Sequence, residues 1–74
     1  MKYEIIYKDY PIEIYTNDEK PINDIQEVHA IITTPKGRWA TPIVVSCMLM
    51  ENEEAFKQIV AENIYTSFMR NNNP

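Results

Sequence analysis

The sequence predicts an α+β fold: a small antiparallel sheet of about four strands, built as two hairpins, with one C-terminal helix packed on a face, in the order β-β-β-β-α. Three observations carry this. Apolar residues alternate on both sides of Lys8-Asp9, the only glycine stands in Thr34-Pro35-Lys36-Gly37-Arg38 between two strand-like segments, and Asn52-Glu53-Glu54 opens a long segment with helical spacing. At 74 residues there is room for one domain and one small core, because chains of roughly 60–80 residues bury only about 60% of their unfolded surface. The domain is expected to occupy 1–70, with Asn71-Asn72-Asn73-Pro74 as a disordered tail.

The first hairpin follows from its register. With Lys8-Asp9 as a two-residue turn, Tyr7 faces Tyr10, Ile5 faces Ile12 and Tyr3 faces Ile14, so six apolar side chains gather on one face. The other face then holds Lys2, Glu4, Ile6, Pro11, Glu13 and Tyr15, mostly solvent chemistry with a mildly unfavourable Glu4–Glu13 pairing. Lys8-Asp9 lacks the Asn-Gly signature of such turns. Pro11 falls at a non-hydrogen-bonded pair, so its missing N–H points away from the first strand and marks the second as an edge there.

Residues 17–24 are polar, include Pro21 and have no period, which reads as a connection across the surface. Within 22–30, Asn23 and Gln26 have the spacing to cap a short helix, but Val28, Ala30 and Ile32 alternating with His29, Ile31 and Thr33 favour a strand. In the second hairpin Pro35 presets the first turn position, and Gly37 falls where a type I turn followed by a bulge needs a left-handed residue. The returning strand runs from Arg38 through Trp39 to Thr41 and meets Pro42, where a bulge or an edge is expected. It then resumes over 43–49, apolar enough to be central.

Asn52 is the expected N-cap of the helix, Glu53 and Glu54 suit the positive end of its dipole, and the pattern continues to Arg70. At about 100° per residue, Ala55, Phe56, Ile59 and Val60 gather on one side. Ala61, Ile64, Tyr65, Phe68 and Met69 gather roughly opposite, and a straight helix on one sheet does not bury both sets. A kink near Glu62-Asn63, a second layer from the crossing loop, or a second copy of the chain would each resolve the split. So short a chain has little left for a second layer, so the sequence favours a homodimer with Ala61, Ile64, Tyr65, Phe68 and Met69 at the interface.

Composition narrows the chemistry. The net charge of -4 disfavours non-specific binding to nucleic acid or anionic membranes, which need a basic surface. No run approaches the roughly 20 apolar residues of a membrane span, and acids interrupt the N-terminal segment where an export signal needs an apolar core. One cysteine forms no internal disulfide, so a reducing, cytoplasmic compartment is expected. One Cys and one His do not make a structural zinc site, and a phosphate loop needs several glycines, so neither metal nor cofactor is expected. Eleven Ile against one Leu, five Lys against two Arg and seven Asn suggest an AT-rich genome, that of a low-GC bacterium or its phage.

The catalytic inventory is thin. His29 with Cys47 is a conceivable nucleophilic pair, but Cys47 in an apolar strand reads as a buried structural thiol and His29 as a strand-surface residue. Glu51, Glu53 and Glu54 are explained by the helix dipole. The recognition chemistry that stands out is the hairpin tip, where Lys36, Arg38 and the only tryptophan, Trp39, are suited to gripping a carboxylate, a phosphate or a stacked base. By subtraction, the sequence suggests a non-enzymatic interaction protein, an inhibitor, adaptor or regulatory subunit, with an unidentified protein partner. A nucleotide- or small-anion-binding module using the tip is the alternative, and an enzyme using His29 and Cys47 a remote one.

Overall fold

A computed structural model of the chain describes residues 1–16 and 24–72. Its elements are β1 (Lys2–Tyr7), β2 (Tyr10–Thr16), β3 (Ile25–Thr34), β4 (Gly37–Ser46), α1 (Cys47–Met50) and α2 (Glu53–Asn72). The strands form one antiparallel sheet in the order β1-β2-β3-β4, and α2 packs on one face, the α+β arrangement that the sequence predicts. No helix among the described residues is long and apolar enough to cross a membrane. All of the expected surface connection over 17–24 except Asp24 lies outside the described residues, as do 73–74.

The first hairpin has the expected register: Tyr7 pairs with Tyr10, Ile5 with Ile12, Tyr3 with Ile14 and Glu4 with Glu13. Lys8 and Asp9 take φ of 50° and 71°, the left-handed pair of a type I′ turn, which matches the twist of the strands but is costly for residues with a Cβ. Pro11 does not make β2 an edge strand, since β2 lies between β1 and β3. Its effect is local: the β2–β3 ladder begins at Ile12↔Ile32, one residue short of Pro11, where the donor is missing.

The 22–30 ambiguity resolves to strand, with Val28, Ala30 and Ile32 fully buried. The second hairpin has no bulge. Thr34 pairs directly with Gly37 across the two-residue turn Pro35-Lys36, and the same register holds through His29↔Pro42 to Ile25↔Ser46. Gly37 supplies a φ of +126° at the start of β4. Thr34 Oγ1 braces the turn, donating to Gly37 O at 2.9 Å and accepting from Lys36 N at 3.2 Å.

β4 is an edge strand along its whole length, and this accommodates Pro42 without a bulge, because a proline at a non-hydrogen-bonded pair turns its missing N–H to the open side. The expected central strand over 43–49 is therefore corrected in two ways: it lies at the edge, and it stops at Ser46. There the hydroxyl accepts from Met48 N at 3.2 Å, capping α1, and Cys47 N donates to Asp24 O at 2.8 Å. Cys47 is thus a half-buried residue in the first turn of a short helix, and not a thiol sealed inside a strand.

Asn52 caps α2 as expected, its side chain accepting from Ala55 N at 3.2 Å and its carbonyl from Phe56 N at 2.9 Å. The helix continues through Asn71 and Asn72, part of the expected disordered tail, and Asn71 Nδ2 donates to Ser67 O at 2.8 Å. Phe56, Val60, Ala61, Ile64 and Phe68 all enter one core with Ile12, Ile14, Val28, Ala30, Ile32 and Val45. Each four-residue step along an α-helix overshoots a full turn by about 40°, so the row 56, 60, 64, 68 winds slowly around the axis and forms one oblique band. A twisted sheet follows such a band, and aromatic rings close both ends. Tyr3 meets Phe56 edge-on at 5.2 Å, while Tyr7 and Tyr10 lie 5.5 and 6.0 Å from Tyr65, and Tyr10 lies 6.3 Å from Phe68.

Candidate functional site: the uncovered face of the sheet

Strand parity sends alternate residues to opposite faces. One face is filled by α2; no described element packs on the other, which is made of Lys2, Glu4 and Ile6 from β1, Pro11, Glu13 and Tyr15 from β2, and the odd-numbered residues of β3 with the even-numbered ones of β4. Register arranges them in rows across the strands. Glu4, Glu13, Ile31 and Ala40 share one row; Lys2, Tyr15, His29 and Pro42 share the next. Arg38 pairs with Thr33 on one side of these rows, and Val44 with Glu27 on the other.

The first two strands carry a charge network centred on Glu13. Arg38 Nη2 reaches Glu13 Oε2 at 2.8 Å from the far edge of the sheet, and Lys2 Nζ lies 3.3 Å from Glu13 Oε1 and 3.1 Å from Glu4 Oε1. Tyr15 donates its hydroxyl to Glu13 Oε2 at 3.4 Å, and its ring lies 5.7 Å from the Lys2 ammonium. The hydrogen bond from Lys2, then the positive charges of Lys2 and Arg38, hold the Glu13 carboxyl below the usual carboxylate range despite a desolvation that pushes it up. Hydrogen bonds to Glu4 and Glu13 raise Lys2 above the usual lysine range. The unfavourable Glu4–Glu13 pairing is thereby offset by a lysine between the two carboxylates.

Beside the network the face is apolar. Ile6 is 73% and Val44 61% exposed, with Ile25 and Tyr15 also open to solvent. Where the β2–β3 ladder stops short of Pro11, a depression of about 460 Å³ opens, lined by Glu4, Ile5, Ile6, Pro11, Ile12, Glu13 and Thr33. An antiparallel sheet with one solvated face normally shows polar residues there. This one shows a mixed apolar and ion-paired surface.

The hairpin tip does not form the expected constellation. Trp39 pairs with Ile32 on the helix side and packs against the core, with its buried Nε1 making no hydrogen bond among the described residues. Arg38 projects to the opposite face and is engaged by Glu13, while Lys36 stays exposed in the turn. Adjacent strand residues point to opposite faces, so Arg38 and Trp39 cannot grip one ligand together. The helix set packs mainly within one chain: Ala61 and Ile64 are fully buried and Phe68 is 7% exposed, Tyr65 packs on Tyr7 and Tyr10, and Met69, at 40%, is the most open of the five.

His29 is exposed on the uncovered face, 3.9 Å from Glu27. Cys47 follows Ser46, which pairs with Ile25, and His29 lies roughly 13 Å farther along β3 at about 3.3 Å per residue. The two are not brought together. What the sequence reading missed is the Lys2–Glu13–Arg38 network and the apolar exposure around it. The available signal was Ile6, Ile25, Ile31 and Val44 at positions whose parity opposes the core. No protein-family model, curated protein or solved structure matches this chain.

Proposed function

We propose that this chain is a small acidic, non-enzymatic protein-interaction module, of inhibitor, adaptor or regulatory-subunit type, and that the uncovered sheet face is its contact surface. The observation that carries this reading is the pairing of exposed Ile6 and Val44 with the fixed network of Lys2, Glu4, Glu13 and Arg38 on one surface. Apolar side chains beside an ordered ion-pair network offer a partner both contact area and fixed polar contacts, and Tyr and Arg are favoured anchors. Arg38 and Lys2 are already held by Glu13, so less side-chain entropy is lost when a partner arrives.

The test is capture from a low-GC bacterial lysate with immobilised wild type, Val44→Asp, Ile6→Asp and, as a control on the outer side of α2, Ile59→Asp. The reading expects a protein retained by wild type and Ile59→Asp and lost by both face variants. Identical retention by all four would overturn it, as would retention of nothing by any, a tagged second copy of the chain added to the lysate included.

A further inference from the structure

We infer that the occupant of the uncovered face is a second copy of this chain, docked face to face about a two-fold axis that lies across the strands. This rests on the reading of that face as a contact surface and names its partner.

The argument is one of self-complementarity. A two-fold axis in the plane between two stacked sheets, perpendicular to the strands, lays each strand on its own copy and reverses the order of the rows. If the axis passes between the Glu4–Glu13–Ile31–Ala40 row and the Lys2–Tyr15–His29–Pro42 row, those rows exchange. Glu4 then faces the partner's Lys2, Glu13 faces the partner's Tyr15, and Ala40 faces the partner's Pro42. One row farther out, Arg38 faces the partner's Val44, so its aliphatic stem meets an apolar side chain, and Glu27 faces the partner's Thr33. No two like charges are opposed.

Neighbouring registers fail this criterion. An axis through the first row sets Glu4 on the partner's Glu4 and Glu13 on the partner's Glu13; an axis through the second sets Lys2 on the partner's Lys2. An axis along the strands lays Lys2 and Glu4 over the partner's Pro42 and Ala40, so neither meets an opposite charge. Stacked sheets lie about 10 Å apart with strands rotated by about 30°, and this rotation displaces residues least near the axis, where the complementary rows lie.

Area agrees with a modest interface. At about 3.3 Å per residue and 4.8 Å per strand, the overlapping part of the four strands covers roughly 400 Å² in projection, so the pair removes roughly 800–1,000 Å² in total. That lies below the roughly 1,200–2,000 Å² of stable complexes and in the range of weak, transient association. The sheet edges compete poorly for self-association: Pro42 interrupts the donors of β4 at mid-strand, and β1 has only six residues.

The experiment is sedimentation equilibrium of the full chain from about 1 to about 500 μM, a range suited to weak association, with folding of each variant checked by circular dichroism. Wild type is expected to pass from the 8.7 kDa monomer to twice that mass. Lys2→Glu and Glu4→Lys are each expected to weaken association by about tenfold or more through like-charge contact, and the double variant Lys2→Glu/Glu4→Lys to restore it. Ala40→Glu, on an exposed edge position, is expected to abolish the dimer even if the charge variants unfold. A wild type that stays monomeric throughout, or a dimer equally sensitive to Ile59→Glu on α2 and insensitive to Ala40→Glu, overturns the inference. A monomer that still captures a foreign protein through Ile6 and Val44 overturns the dimer while leaving the contact-surface reading intact.

Discussion

Ile64→Ala separates the two roles that the second half of α2 could play. Ile64 is fully buried in the row Phe56, Val60, Ile64, Phe68. Truncation removes three carbons, worth about 0.8 kcal/mol each in transfer, and leaves a cavity that the sheet and helix close only in part, so the expected loss is about 3 kcal/mol. A domain of this size has about 4–11 kcal/mol of total stability. The loss is therefore a large fraction of the whole. Urea unfolding followed by fluorescence of Trp39, the only tryptophan, reads it as a midpoint lower by about 2–3 M if the slope is near 1 kcal/mol/M. The core role requires the same loss at about 1 and about 100 μM protein, because an intramolecular contact is independent of mass action. A loss below about 1 kcal/mol, or one that appears only at the higher concentration, would return Ile64 to an interface and refute the single oblique band.

Asp9→Gly is expected to stabilise by about 0.5–1 kcal/mol, raising Tm by several degrees, because glycine adopts the φ of 71° at Asp9 without Cβ strain. Gly37→Ala is expected to cost about 1 kcal/mol or more although a Cβ there meets nothing within 4 Å, since the penalty lies in the backbone φ of +126°; an unchanged Tm would contradict that conformation. Trp39→Phe is expected to change stability by less than about 1 kcal/mol, because the lost ring area is offset by removal of a buried N–H that has no partner among the described residues. A loss above about 2 kcal/mol in chemical unfolding followed by circular dichroism would show that Nε1 has a partner. Glu13 has a depressed carboxyl, so its contribution is present above its ordinary pKa of 4.5 and is lost as pH falls through the lower folded value. Lys2 has the opposite sign, contributing below its ordinary 10.5 and losing that contribution as pH rises beyond it. Unfolding midpoints of Glu13→Gln across acidic pH should be flatter than those of wild type, and parallel curves would deny the network a role in stability.

Local rules made most of the sheet legible. Alternation placed Tyr3, Ile5, Tyr7, Ile12 and Ile14 on one face with the correct partners, and Pro35 with Gly37 located the second turn. The errors came where two local signals had to be weighed against a position in space. Pro42 and the apolar run after it suggested a bulge and a central strand; the edge position of β4 removed the need for the bulge, and Ser46 ended the strand with a cap. Arg38 and Trp39 are adjacent in sequence and therefore looked like one constellation, whereas in a strand adjacency means opposite faces.

The order of the four strands and the long helix, the register of the first hairpin, the position of the second turn, the helix cap at Asn52 and the alternation that builds the core all follow from spacing and from backbone preferences within a few residues. Tertiary structure decided which face of the sheet the helix covers along its whole length, and so which side chains are left outside. The row from Phe56 to Phe68 fits a single chain only because the sheet twists beneath it, and that twist belongs to four strands together. Covering one face with α2 buried the residues first read as an assembly surface and left Lys2, Glu13, Arg38, Ile6 and Val44 on the other.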